Sequence, residues 1–391
     1  MKLFIANGKK NTVLWICLNV LRWVGFLVPD ELTAFQKALR PLYTTFWFMF
    51  IVGIMTIAQF GDLLQIWGNV PLMVETSYLL FTDFVFIFKI INLFTKRKEL
   101  FDIVRNDDEE LNTEEREEGK AIIERSNRDM FRQLTPFIMY AGSALSWFAT
   151  EDRTLFYRAW YPVDVTKSPA YEIAYVHQSL AVMFIALTNG SFDIMVISLV
   201  AVCRLRIKLL QLTLRNLFQD MEVDGKRLLS DDDNRKVAER LRACIIKHQA
   251  ILESGFQIRE CFSYSILAQF TVSIVILCVS AYQLGEIELN SKCRLAFMIA
   301  YLLSMAIEVF MYCYHGNCIS EESVEIADTL YEMPLYVCSL PIRKSLLVMM
   351  VRSRRPIELT AGGFATLSLG CFMSIMKISY SFFTVLRQVE E

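Results

Sequence analysis

The feature that most limits how this chain can fold is the bunching of its apolar residues. Seven stretches, 42–60, 70–94, 133–149, 173–203, 262–284, 295–314 and 360–386, each approach or exceed the length of a bilayer span while carrying few charges. The clearest are FWFMFIVGIMTIAQF from Phe46 and FTVSIVILCVSAYQL from Phe270. A helix rises about 1.5 Å per residue, so about twenty residues cross a hydrocarbon core of roughly 30 Å. Hydrocarbon also admits only structures that satisfy their backbone hydrogen bonds internally. The pattern predicts an all-α, polytopic membrane protein with seven transmembrane helices. A soluble chain of 391 residues, 54% hydrophobic, would instead spread its apolar positions through short elements of two or three domains.

The stretch TVLWICLNVLRWVGFLV (12–28) competes for the place of first span. Asn19 and Arg22 in its middle, with Trp15 and Trp23 as amphipathic anchors, favour a helix lying in the membrane interface. Without it, Lys and Arg divide unequally between the two sides. Segments 1–41, 95–132, 204–261 and 315–359 carry six, nine, twelve and five of them; the opposite loops and tail carry six altogether. KRK at 96–98 and RLRIK at 204–208 abut helix ends, where such charges orient a span most strongly. The N-terminus is therefore expected in the cytoplasm and the C-terminus outside. That is inverted relative to a G-protein-coupled receptor, and no Asp-Arg-Tyr follows the third span. A seven-helix receptor signalling through a cytoplasmic protein remains the alternative.

Several chemistries are excluded by what is missing. Three histidines (His177, His248, His315) form no His-Glu-x-x-His, and no P-loop, Gly-x-Ser-x-Gly or dinucleotide fingerprint occurs, so neither an enzyme nor a cofactor is indicated. A net charge of −2 implies no nucleic-acid partner. Of ten cysteines only Cys293 falls in a predicted outer loop, which argues against structural disulfides. Cys313, His315 and Cys318 lack a second ligand pair at zinc spacing. The sequon at Asn189 lies inside the fourth span, out of reach of glycosylation.

Ionisable residues inside predicted spans are Asp83, Lys89, Asp193, Glu308 and Lys377. Such groups cost several kcal/mol in hydrocarbon unless paired or hydrated. Lys89 and Glu308 are expected to snorkel, and Asp83 and Asp193 to form buried polar pairs. In the last helix Gly370, Ser374, Lys377, Ser381, Thr384 and Gln388 follow one another at steps of three and four, a small-or-polar stripe beside bulky Phe372, Met373, Ile375, Phe382, Phe383 and Leu386. Such a stripe is either helix–helix glue or a water-facing wall. Ahead of it, RSRRPIELTAGG (352–363) reads as a hinge, Pro356 breaking one helix and Thr360 capping the next. A solvated extension of the third helix is expected over 106–134, amphipathic helix over 204–261 interrupted by a loop at 224–234, and the aromatic loop 150–172 is either a lid or a set of interface anchors.

The segment PIRKSLLVMMVRSRRPIELTAGGFATLSLGCFMSIMKISYSFFTVLR (341–387) resembles the C-terminal signature of insect odorant receptors, and AWYPVDVTKSPAYEIAYVHQ (159–178) resembles the same family's segment before the fourth helix. Leu335, where that family often has Trp, departs from the pattern. A gustatory-receptor relative is disfavoured because Ser379-Tyr380-Ser381 precedes Phe382 and Phe383 where such relatives end in Thr-Tyr and Gln-Phe.

The resemblance implies an odorant-tuned subunit that assembles with a shared co-receptor into a heterotetrameric, odorant-gated, non-selective cation channel in the plasma membrane of olfactory neurons. It implies a pocket for a small volatile in the outer half of the bundle, to which Tyr78, Phe81, Tyr140, Ser143, Trp147, Met183, Leu187, Met298 and Tyr301 are assigned by position. It implies a gate at Val385 and Val389 with Gln388 in the pore, continued by Lys377, Ser381 and Thr384. Four parts follow: a cytoplasmic segment with an interfacial helix (1–41), helices one to six with the pocket (42–314), cytoplasmic assembly helices (315–359) and a pore-lining seventh helix (360–391). Odorant, co-receptor and membrane lipid are the expected partners, with no cofactor and no metal.

Overall fold

A computed structural model describes residues 12–27, 34–135, 155, 157–221, 229–286 and 292–390. The described chain is helical almost throughout. The short α1 (Thr12–Trp23) precedes α2 (Ala34–Phe48), which continues through a π-helical turn (Met49–Gly53) into α3 (Ile54–Gln65). There follow α4 (Val70–Thr95), α5 (Arg97–Asn112) and α6 (Glu117–Gln133), then the long α7 (Ala170–Arg215), α8 (Asp231–Glu286) and α9 (Lys292–Tyr331). The chain closes with α10 (Leu340–Ser353), a two-stranded hairpin β1 (Thr360–Ala361) and β2 (Ala365–Thr366), and α11 (Leu369–Glu390). Segments long and apolar enough to cross a membrane include Pro41–Gln65 and parts of α7, α8, α9 and α11. At 26 residues, or about 39 Å, α4 is long enough as well. The third expected span lies almost entirely outside the described residues.

α1, at twelve residues or about 18 Å, is too short to cross hydrocarbon. It buries Val13, Leu14, Cys17, Leu18 and Leu21 along one face while Trp23 stands exposed. Just beyond it Gly25 takes a φ of 99°, and a Cβ there would meet Thr44 Oγ1 at 2.5 Å. That turn drives Phe26 into the bundle, edge-on to Phe48, Phe86, Phe94 and Phe184 at 5.9–6.4 Å.

α7 and α8, at 46 and 56 residues, are about 69 and 84 Å long and so must project well beyond the membrane. Their charged ends lie together, joined by α5 and α9. Arg206 is buried and pairs with Asp107 of α5 and Ser254 of α8. Arg204 bonds Glu322 of α9 at 2.6 and 3.1 Å, with Lys208 adding a third contact at 3.1 Å. Between α5 and α6, Glu114 receives two bonds of 2.7 Å from Arg116, whose guanidinium holds its carboxyl below the usual range.

The hinge departs from expectation. α10 stops at Ser353, just ahead of Pro356, but Thr360 does not cap the last helix. Thr360 and Ala361 pair with Thr366 and Ala365 in the hairpin, and the helix begins only at Leu369. Ser368 supplies the cap, its Oγ accepting from Cys371 N at 3.2 Å. The physical reason is Gly362 and Gly363, whose φ values of 60° and 76° turn the chain back on itself. The hairpin is clasped by its neighbours: Gly362 N donates to Ser263 O of α8 at 3.0 Å, and Ser263 Oγ donates to Thr360 O at 2.7 Å. On the other side Gly316 of α9 admits Leu367 so closely that an added Cβ would sit 2.3 Å from the Leu367 Cβ and 2.7 Å from its carbonyl oxygen.

Candidate ligand cavity and the last helix

A cavity of about 620 Å³, counting its open mouth, lies among α3, α4, α7 and α9. Met55, Leu79, Val182, Ile185, Ala186 and Met305 supply its apolar wall. Thr82, Asp83, Asn189, Tyr301, Ser304 and Glu308 supply its polar groups. Thr82 and Tyr301 share a hydroxyl–hydroxyl bond of 2.8 Å between α4 and α9, and Ser304 Oγ donates to Tyr301 O at 2.7 Å. A mainly apolar concave site with a few convergent polar groups is the usual form of a small-molecule pocket.

Directly behind the cavity is a buried ionic network. Lys89 Nζ donates to both carboxylate oxygens of Asp193 at 2.6 and 2.8 Å, to Asn189 Oδ1 at 3.0 Å and to Glu308 Oε1 at 3.3 Å. Tyr312 donates its hydroxyl to Asp193 at 2.7 Å. All five side chains are buried. Lys89 and Glu308 therefore do not snorkel as expected. Three helices offer one another opposite charges at mid-bundle, and the pairing offsets a desolvation that neither charge would survive alone. Asp83 does not join Asp193; it is 2% exposed and among the described residues its Oδ2 has no hydrogen-bond partner.

Of the residues assigned to the pocket by position, Tyr301 lines this cavity. Met298 is buried on the same helix and Phe81 packs, half-buried, against the core beside Thr82. Met183 is half-buried, while Leu187 is 52% exposed on the outside of α7. The lining positions of that helix are Val182, Ile185, Ala186 and Asn189, so the period is helical but the phase is turned by one residue. Tyr78 lies on α4, and Tyr140, Ser143 and Trp147 fall outside the described residues. The missed lining residues Asp83, Asn189 and Glu308 were visible as polar groups inside apolar spans. Among the described residues no group of three His, Cys, Asp or Glu is placed to hold a metal.

The described part of the aromatic loop packs against α3. Trp160 N donates to Ala58 O at 2.9 Å, its ring lying over Gly61, where a Cβ would come within 3.2 Å. Arg158 approaches Asp62 at 3.4 Å, and Asp62 also accepts from Thr76 Oγ1 at 2.9 Å. Asp164 gathers Thr166 and Lys167, which hold its carboxyl below the ordinary range.

α11 is different in kind. Only 11% of its apolar window is buried, against 50–61% in α7, α8 and α9. Ile375 and Ser379 face inward, with Phe372, Phe383 and Leu386 packed against the core. Gly370, Ser374, Lys377, Ser381 and Gln388 are exposed, as is Val385 at 56%, and Thr384 is half-buried. Ser374, Ser381 and Thr384 bond back to carbonyls of their own helix. The side chain of Val389 falls outside the described set.

Comparison with known proteins places this architecture. The model of the 7tm Odorant receptor family matches residues 69–380. The chain belongs to the insect odorant receptor family. It is 26% identical to Odorant receptor 10 of Aedes albopictus, covering 86% of this chain and 90% of that receptor. It is 29% identical to Odorant receptor 22c of Drosophila melanogaster over a shorter region, 46% of this chain and 44% of the relative. The solved structure of the insect olfactory receptor OR5 from Machilis hrabei in complex with eugenol aligns with a TM-score of 0.78, covering 99% of both chains at 18% identity. Another structure of that receptor gives 0.81 over 96% of this chain and 98% of the other, at 19% identity. At such identities the likeness is one of fold. As an odorant receptor the chain is a multi-pass membrane receptor and not an enzyme.

Proposed function

We propose that the chain is the odorant-tuned subunit of a ligand-gated, non-selective cation channel, assembled with a shared co-receptor in the plasma membrane of olfactory neurons. The observation that carries this reading is the exposed polar stripe of α11. A span that leaves Ser374, Lys377, Ser381 and Gln388 uncovered in its own subunit needs either neighbouring chains or water against that face. One striped helix cannot enclose a pore, but several subunits placing it around a common axis can. Val385 and Val389 then form apolar rings that close by dewetting, with Gln388 between them.

The side on which basic residues gather supports a cytoplasmic N-terminus and an outer C-terminus. With that orientation, α5, α6, α10 and the far ends of α7, α8 and α9 form a cytoplasmic base. The cavity lies in the outer half, where a volatile is held by burial at about 25 cal/mol per Å² of apolar surface. That a relative's structure is in complex with eugenol is consistent with a small-molecule ligand of this kind. The hairpin joins the base to α11 and is the rigid path by which movement of α9 against the cavity reaches the pore helix.

The test is to express the chain with and without co-receptor and record currents to a volatile panel. Odour-evoked cation current that needs both chains is expected. Silence across the panel with surface expression confirmed, or an external N-terminal tag, would sink the reading in favour of a receptor coupled to a cytoplasmic protein.

A further inference from the structure

The polar groups of the cavity are matched to one another with one exception. Thr82 and Tyr301 bond each other, Ser304 donates to the Tyr301 carbonyl, and the oxygens of Asn189 and Glu308 accept from Lys89. Asp83 lines the same cavity, is 2% exposed, and among the described residues its Oδ2 accepts from nothing. A buried carboxyl oxygen without a donor costs about 1–3 kcal/mol or more when charged, so the fold has reason to leave one only where something else supplies the donor. Charge points the same way. Among the described residues, three carboxyl groups, Asp83, Asp193 and Glu308, and one ammonium, Lys89, stand around this end of the cavity and in the network behind it. Asp193 holds Lys89 with both oxygens, so the ammonium is committed away from Asp83. What the cavity lacks is a cation carrying N–H donors, on a body small and apolar enough for the remaining wall.

We propose that the ligand class of this receptor is small apolar amines, bound as ammonium with the nitrogen donating to Asp83 Oδ2. This rests on the odorant-receptor reading above and deepens it. Asp83 is then the specificity-determining residue: the apolar wall sets size, and the carboxylate rejects neutral isosteres that cannot replace its missing positive charge. Both amine and alcohol can donate to the carboxylate, but only the ammonium adds an opposite charge, whose attraction is strong in a water-poor site, so the amine gains over the matching alcohol.

The experiment uses benzylamine, benzyl alcohol and toluene, which share shape and differ in the group offered to Asp83. Whole-cell currents are recorded from cells expressing the full chain with co-receptor, and binding is followed separately by the thermal shift of the purified chain. The wild-type protein is expected to respond to benzylamine at about tenfold lower concentration than to benzyl alcohol, with toluene weakest. Asp83→Asn is expected to remove that preference and Asp83→Glu to retain it in part, while Leu187→Ala, outside the cavity, keeps the wild-type order of potencies. Equal potency of amine and alcohol on the wild type would overturn the proposal, as would an amine preference that survives Asp83→Asn. If benzylamine stabilises the purified wild type but not the Asn variant while no current flows with any ligand, the inference stands and the channel reading falls. If neither current nor thermal shift distinguishes amine from alcohol, the inference fails whatever becomes of the channel.

Discussion

Two lysines sit inside spans of this protein and meet opposite fates. Lys89 of α4 is completely buried, with Asp193, Asn189 and Glu308 gathered around its ammonium. Lys377 of α11 stands exposed on a stripe of small and polar side chains. Inside the bundle, Lys89 meets its counter-charges within the same chain; on the last helix, the polar side chains stay uncovered by it. The contrast separates polar groups that are paired within the chain from polar groups that the chain leaves open.

The largest effect should follow from breaking the paired side. Lys89→Met leaves Asp193 and Glu308 buried without their cation, a loss of about 3–5 kcal/mol that should abolish surface expression; adding Asp193→Leu should recover much of it. Surface labelling of single and double variants checks this. If Lys89→Met traffics and melts like wild type, the network is not a stability device. Next in size is Gly316→Val at the joint between the two regions. Its side chain collides with Leu367, and a cost of about 1–3 kcal/mol is expected, with weakened coupling between ligand and current. Concentration–response curves should show a lower maximal current at unchanged ligand affinity.

On the open side, Ser381→Phe should leave melting of the isolated subunit within about 0.5 kcal/mol of wild type, because the position is exposed there. It should nonetheless reduce conductance or shift ion selectivity in the assembled receptor. A change in ligand potency with no change in permeation would remove Ser381 from the pore. A further pair of variants tests the cavity wall. Tyr301→Phe removes the bond to Thr82 and should cost about 1 kcal/mol, whereas Leu187→Ala, facing outward, should be nearly silent in both stability and ligand response. A strong ligand phenotype at Leu187 would show that the phase of α7 around the cavity differs from that described.

Much of this was legible beforehand. Apolar runs mark where helices cross hydrocarbon because no other open structure satisfies the backbone there, and Pro356 marks where α10 must stop. The stripe on α11 was readable because polar and bulky residues alternate at helical period. The lining of α7 was less so. Apolar residues surround that helix, and only Asn189 and Asp193 distinguish the face carrying Val182 and Ile185 from the one carrying Met183 and Leu187.

Thus the sequence alone determined the helical membrane class, the odorant-receptor family signature and the presence of charges that could not be left in lipid. Only the tertiary structure decided which charges meet. Lys89, Asp193 and Glu308 are separated by about a hundred residues or more, and pairing across three helices depends on their relative rotation and depth, which local propensity does not encode. The same holds for the glycine hairpin. Two adjacent glycines permit a turn, but Ser263 on one side and Gly316 on the other make it the joint between the base and the last helix.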